Sequence, residues 1–181
     1  AGARPMRATR RGRRGAAAAL CDTAPMCALP PARPPVRLLH LEDSEPDHAL
    51  VMAQLQRAGL RTRARRVETR HGFERALDEP WDLVLSDYHL PGFTGLEALA
   101  LLRDAAPTLP FILVSGQIGE DMAVEAMRNG ADDYLLKNNL ARLVPAIEHA
   151  IAAHEARRAR AAADRELAAS RQRLSELAQH L

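Results

Sequence analysis

The chain has 181 residues, 47% of them apolar and 27% charged, with a formal net charge of +2. That length suits one domain of ordinary size with appendages, and the apolar fraction is enough for a real core. No apolar run approaches the ~18 residues that a membrane helix needs, and Cys21 and Cys27 match no metal-binding spacing, so they read as incidental thiols of a reducing compartment.

The charge is unevenly spread. Residues 1–35 hold seven Arg and one Asp (+6), which leaves 18 basic and 22 acidic side chains (−4) in residues 36–181. The basic stretch has no apolar periodicity and ends Pro-rich, so residues 1–35 are expected to form a disordered leader. Its RRGRR cluster has the composition of a nucleic-acid contact or a twin-Arg export signal. Ala16–Cys21 is too short and weakly apolar for an export signal's core. The expectation is a solvated leader, or an upstream extension of a start at Met26.

From Val36 the pattern becomes regular. Val36–Leu41 (VRLLHL) is a continuous apolar run and predicts a strand, with His40 a satisfied core or cross-strand histidine. Glu45-Pro46 opens a helix with Leu50, Val51 and Leu55 on one face, ended by Gly59. Arg63–Val67 is a poor strand by composition and belongs near a sheet edge. Gly72–Leu77 reads as a short helix and Asp82–Ser86 as a buried strand, with Trp81 plugging the sheet's end and offering a fluorescent reporter if it lies near the site. Thr94–Arg103 predicts a helix with Leu96, Leu99 and Leu102 inward, and Phe111–Val114 another buried strand. Glu120–Asn129 is a helix stopped by Gly130, its Met122 and Met127 expected to pack. Tyr134–Leu136 is a short last strand. A final helix begins near Leu140, with Pro145 close enough to its first turns to be tolerated. Strands alternating with helices imply right-handed parallel βαβ units. The expected fold is α/β, a doubly wound five-stranded parallel sheet with a long C-terminal helix.

In such a sheet, ligands bind at the strands' C-terminal ends. A lone strand-end aspartate such as Asp87 more often caps a turn or helix, so its company decides its meaning. After the first strand stand Glu42, Asp43 and Ser44, after the third Asp87, after the fourth Ser115, and after the fifth Lys137. Carboxylates gathered without a cation raise one another's pKa values, and Mg²⁺ suits a few carboxylates plus waters and phosphate oxygens. With a phosphoryl group on Asp87, the metal takes one oxygen, Ser115 donates to another and Lys137 pairs with a third. Lys137 is the only lysine against 24 arginines, which points to a task for a compact point charge.

Residues 36–151 resemble the receiver domain of two-component response regulators, a flavodoxin-like fold. LLHLEDSE matches the family's acidic pair with Glu42 and Asp43, and VLSDYHLPGFTGLEAL its phosphoacceptor with Asp87. FILVSGQ matches its hydroxyl residue with Ser115, and GADDYLLK its switch aromatic and lysine with Tyr134 and Lys137. The resemblance implies that a phosphohistidine on a histidine kinase or phosphotransfer domain donates to Asp87. It also implies Mg²⁺ held by Asp43, Asp87 and the backbone carbonyl of His89, with Glu42 acting through water. Three positions depart from the family's habit. Ser115 stands where Thr is usual. His89 sits where hydrolytic water would approach, which leaves the phosphoryl lifetime open. Asn138 follows the lysine where a cis Pro is usual, and since a cis bond without Pro costs ~2.5–4 kcal/mol, that loop is expected to be trans or strained. Tyr88 either gates access to the acceptor or is an exposed aromatic.

Residues 152–181 are rich in Ala, Arg and Glu, without Gly or Pro, and predict a helix. Leu167, Leu174 and Leu181 recur every seven residues with Leu177 between, the spacing of a coiled-coil seam. A homodimer through this helix is expected, against the alternative of an amphipathic helix folded onto its own domain. LAASRQRLSELAQHL resembles the linker helix entering sensor or dimerisation modules of hybrid histidine kinases. The parent is therefore expected to be a hybrid kinase or similar multidomain regulator continuing to an output module, cytoplasmic, with this part not a stand-alone enzyme. No recognition-helix or zinc-finger pattern predicts contact with nucleic acid, and nothing predicts contact with a membrane. Two readings of other classes compete. A haloacid-dehalogenase-like phosphatase would want a second Asp where His89 stands, and a phosphorylation-independent docking module would not need Asp87, Ser115 and Lys137 together.

Overall fold

The apolar runs become strands in the computed structural model, which describes residues 34–116 and 119–179, with side chains up to Glu176. Residues 1–33 of the basic leader and Leu181 lie outside the described residues. β1 (Val36–Leu41) leads to Ser44, whose hydroxyl accepts from the amide of Asp47 at 3.3 Å and so caps α1 (Glu45–Arg57). Pro46 falls in the first turn, where its missing N–H has no helical partner to lose. β2 (Thr62–Val67), α2 (Arg70–Ala76) and β3 (Leu83–Asp87) follow. A small hairpin of β4 (His89–Leu90) and β5 (Phe93–Thr94) turns at Pro91-Gly92, where Gly92 has φ 80°, a region that glycine enters at least cost. Thr94 and Glu97 then form a reciprocal capping box that starts α3 (Gly95–Ala105). The rest of the domain is β6 (Phe111–Ser115), α4 (Glu120–Arg128), β7 (Asp133–Leu136), a 3-10 segment Lys137–Arg142 and α5 (Leu143–Gln179).

Five strands make one parallel sheet in the order β2-β1-β3-β6-β7. The chain moves outward from β1 to β2, then returns to the other side of β1. This reversal opens a crevice between the C-terminal ends of β1 and β3, the usual ligand position in such sheets. Inward residues divide by face. Leu39, Leu41, Val84, Phe111 and Leu113 pack with Phe73, Leu99, Leu102 and Ala126 of α2, α3 and α4. Leu38, Leu83, Leu85, Ile112 and Val114 pack with Val51 and Leu55 of α1 and Leu143, Ala146, Ile147 and Ala150 of α5. The Arg-rich β2 is an edge strand, as its composition predicts, and it pairs with β1 alone.

Several expectations need correction. Leu50 is 58% exposed and Met127 49% exposed. The core-facing residues are their neighbours Val51 and Ala126, and one residue along a helix turns the side chain by ~100°. The α-helical part of the last helix starts at Leu143 and not near Leu140, because Asn139 (φ −130°, ψ 55°) breaks the preceding 3-10 segment. Pro145 then falls in the first turn, where it breaks no bond. Trp81 packs partly buried against the core and its Nε1 donates to the carbonyl of Ala76 at 2.6 Å. It precedes β3, so it lies at the N-terminal edge, about 20 Å of extended strand from Asp87, and does not report on the site.

α5 packs on the sheet as far as Ala150 and Ile151. From Glu155 to Glu176 every residue is exposed except Ser170, which is half-buried, and Leu167 and Leu174 are 52% and 64% exposed. With 37 residues the helix is about 55 Å long at 1.5 Å per residue. Among the described residues no helix is long and apolar enough to cross a membrane.

Candidate functional site

Strand register brings the strand-end residues together. Leu41 pairs with Ser86, so Glu42 and Asp87 emerge side by side from β1 and β3. Asp87 pairs with Val114, which sets Ser115 one residue farther along β6. Ser115 pairs with Leu136, after which the chain reaches Lys137. Four strand ends thus deliver one hydroxyl, one ammonium and several carboxylates to one edge.

Glu42, Asp43 and Asp87 each offer a carboxylate oxygen within 4.8 Å of the others. Glu42 and Asp87 are buried, 1% and 7% exposed, and Asp43 faces solvent. This hard-oxygen set, open on one side, fits a small divalent cation such as Mg²⁺ that keeps part of its water. The Lys137 ammonium donates to Asp87 Oδ2 at 2.8 Å, Glu42 Oε2 at 3.0 Å and Asp47 Oδ2 at 2.5 Å. Burial works against its charge, but the hydrogen bonds from Asp47, Asp87 and Glu42 outweigh that and hold it above the ordinary lysine value. Burial pushes the Glu42 carboxyl up, against the opposing pull of Lys137 and of the Ser44 amide, which donates to its Oε1 at 3.0 Å. The bond from Lys137 draws the Asp47 carboxyl down.

The neighbours complete the pocket. The His89 amide donates to Asp87 Oδ1 at 3.4 Å, a long bond, while its exposed ring meets Tyr88 edge-on with centroids 4.8 Å apart. Tyr88 is half-buried against the α2–α4 face, so it is not simply an exposed aromatic. Ser115 is fully buried. Tyr134 lies on β7, partly buried against the α2–α4 face. Behind the pocket, His40 is 1% exposed and its Nδ1 lies 2.7 Å from Nδ1 of His48 on α1, so the expected core histidine has its partner. Burial first, then His48, Lys137 and Arg66, lowers the His40 pKa to about 3, which keeps the ring neutral.

Two contributors escaped the sequence reading. Asp47 looks like an acidic residue placed in a helix's first turn for the macrodipole, and only β7's position reveals its lysine partner. Arg66 donates to the carbonyls of Glu42 and Asp43 at 3.1 and 3.2 Å and pairs with Glu68 at 2.7 Å, which pins the acidic loop from behind. Among the arginines of β2 nothing in the sequence distinguishes it.

A doubly wound parallel sheet whose acidic pocket, at the reversal of strand order, is bridged by a lysine from the last strand defines a receiver-like α/β domain. The response regulator receiver domain family matches residues 39–148, and the chain belongs to that family. It is 34% identical over 104 residues to the phosphate regulon transcriptional regulatory protein PhoB of Klebsiella pneumoniae, covering 56% of this chain and 44% of that protein. It is 48% identical over 59 residues to the response regulator protein FleR of Pseudomonas aeruginosa, covering 33% of this chain and 12% of that protein. The chain thus spans less than half the length of these curated relatives. The solution structure of the beryllofluoride-activated NtrC4 receiver domain dimer superposes with a TM-score of 0.59 at 22% identity, covering 65% of this chain and 98% of that one. At that identity the likeness concerns the fold.

Proposed function

We propose that Asp87 accepts a phosphoryl group from the phosphohistidine of a histidine kinase or phosphotransfer domain, and that the change reaches α5. The observation that carries this reading is the convergence on Asp87: its Oδ2 accepts from the Lys137 ammonium at 2.8 Å, while oxygens of Glu42 and Asp43 lie within 4.8 Å. In the transfer a carboxylate oxygen of Asp87 forms a bond to phosphorus as the phosphorus–nitrogen bond breaks, and the imidazole leaves with a proton. Bound by Asp43, Asp87 and the carbonyl of His89, with Glu42 through water, Mg²⁺ would supply charge neutralisation at the phosphoryl oxygens. Lys137 neutralises a further oxygen, and the Ser115 hydroxyl donates to a third. Tyr134, behind Ser115 on the neighbouring strand, follows that inward draw. Phosphohistidine donors are made from ATP, which puts the reaction in the cytoplasm.

Residues 36–151 form the receiver in this reading, and 152–181 carry its signal toward an output module, with a hybrid kinase as the parent architecture. The exposed stretch of α5 takes a second copy of itself. With Leu167 and Leu174 at one core position of a heptad, Ala163, Ser170 and Leu177 hold the other. In a parallel pair Glu166 of one helix then faces Arg171 of its partner, so the flanking charges attract.

Incubation with Mg²⁺ and phosphoramidate, followed by mass spectrometry, tests the acceptor. One phosphoryl group is expected on the parent and none on Asp87→Asn. A parent that gains none, or an Asp87→Asn variant that gains as much, overturns the assignment.

A further inference from the structure

An ammonium has three N–H donors, and Lys137 uses all three on carboxylates: Asp47 Oδ2 at 2.5 Å, Asp87 Oδ2 at 2.8 Å and Glu42 Oε2 at 3.0 Å. The three acceptors are not equivalent. The Glu42 side chain is 2% exposed, and its other oxygen is held by the Ser44 amide. Asp87 is 9% exposed at the side chain. Asp47, third residue of α1, makes the shortest contact with a side chain that is 41% exposed.

A phosphoryl group brings about two negative charges and three strong acceptor oxygens. For Lys137 to reach one of them, it must let go of a present partner. Glu42 released in its buried site would lose its charged donor and keep only the Ser44 amide and a metal-bound water, which costs more than releasing a carboxylate already facing solvent. Asp87, once esterified, is no longer a carboxylate and passes its contact to a phosphoryl oxygen. Of the two carboxylates that remain, Asp47 alone can exchange the ammonium for water at little cost as the lysine moves toward that group.

We propose that Asp47 is a positioning residue that competes with phosphoryl oxygens for Lys137, setting how readily the lysine is recruited. The proposal rests on the reading of Asp87 as phosphoacceptor. The exchange also undoes a tie across the fold, because Asp47 belongs to α1 and Lys137 opens the 3-10 segment before α5. Asp47 therefore restrains that segment in the unphosphorylated state and releases it afterwards.

The solitary lysine makes the test clean, since labelling with ¹⁵N-lysine yields a single side-chain ammonium resonance. It is followed while beryllofluoride, a phosphoryl mimic, is added at saturating Mg²⁺. Asp47→Asn, nearly isosteric, should lower the half-saturating concentration about 5-fold, the scale of removing one partly exposed ion-pair competitor. Its resonance before addition should already lie displaced toward the beryllofluoride-bound position. Asp47→Glu should return the half-saturation toward the parent's. Glu45→Gln, which removes an exposed charge from the same turn, should leave it unchanged. A half-saturation for Asp47→Asn equal to or above the parent's overturns the proposal, as does equal tightening in Glu45→Gln, which would reduce the effect to bulk charge. A weakened helix start alone lowers stability without tightening binding. If the parent's resonance ignores beryllofluoride, the phosphoacceptor reading falls and this proposal with it. A responsive parent with no tightening in Asp47→Asn removes this proposal alone.

Discussion

The Lys137 ammonium lies 2.8 Å from Oδ2 of Asp87, fifty residues earlier in the chain, with two further carboxylates on the same nitrogen. So crowded a site suits a slim point charge. A guanidinium is wider, planar and prefers a bidentate grip. Lys137→Arg should therefore push out Asp47 or Ser115 instead of drawing the site inward, and uncouple response from phosphorylation. The check is amide NMR with and without beryllofluoride. The parent's shifts around Tyr134 and the start of α5 should shrink several-fold in the variant, and shifts of equal size would refute the coupling role.

Asp43 is the solvent-facing member of the acidic trio. Mg²⁺ affinity of the parent should be on the order of millimolar, as in open carboxylate sites that keep much of their water. Asp43→Ala removes one hard ligand and much of the local field, and calorimetry should register at least a roughly tenfold loss, the scale of losing a metal-site group. Unchanged affinity would move the metal site elsewhere.

Gly95 begins α3 directly against the site. A Cβ added there would collide with Leu113 Cδ1 and lie 2.6 Å from the Asp87 carbonyl oxygen. One of the two obstacles is backbone and the other a fully buried core side chain, so neither yields freely. Gly95→Ala should destabilise the domain by about 2 kcal/mol and lower the thermal midpoint by on the order of 5–10 °C. A melt that matches the parent's would contradict this close approach.

The exposed leucines of α5 lead to an oligomer prediction. Leu174→Glu with Leu177→Glu should leave the receiver folded and the chain monomeric, while the parent dimerises weakly, since about two heptads form a short seam. Light scattering across concentrations distinguishes these. A monomeric parent at high concentration would exclude the paired helix.

Arg37 and Asp82 predict a pH dependence at the opposite edge of the sheet. The guanidinium donates to Asp82 through Nη2 at 2.6 Å and Nε at 3.2 Å, and the Arg37 amide donates at 2.8 Å. Burial works to raise the Asp82 carboxyl, but these bonds outweigh it and hold the group below its usual value. With the folded pKa lower than the unfolded one, the stabilisation is complete above about pH 4 and is lost as pH falls through the folded value. Asp82→Asn should cost about 1 kcal/mol at neutral pH, because both side chains are partly exposed. Below about pH 4 its stability should fall less steeply than the parent's in urea titrations. Parallel curves would mean that the pair contributes nothing to acid lability.

Most of the sheet was readable in the residues because strand signals are local. Runs such as FILV and LVL bury both faces of a parallel strand, and the Gly and Pro between them punctuate turns. Ends were harder to read. The onset of α5 shifts to Leu143 because of the backbone at Asn139, where nothing in KNNLAR marks the break. Periodicity also tolerated two solutions on α1 and α4. Leu50 and Val51 are both apolar neighbours, as are Ala126 and Met127, and only docking against the sheet decides which of each pair faces inward.

The same division runs through the site. Glu42, Asp43, Asp87, Ser115 and Lys137 were legible as strand-end residues because each stands within two residues of the end of an apolar run, and the single lysine was visible by counting. Which groups share that lysine was not legible. Asp47 and Lys137 are 90 residues apart, and Arg66 reaches the carbonyls of Glu42 and Asp43 from an edge strand among other arginines. Local residue patterns determined the strands, the helices and the chemistry waiting at the strand ends. Strand order and register, which arise from long-range packing, decided that one ammonium would face three carboxylates, because charges meet through space and not along the chain.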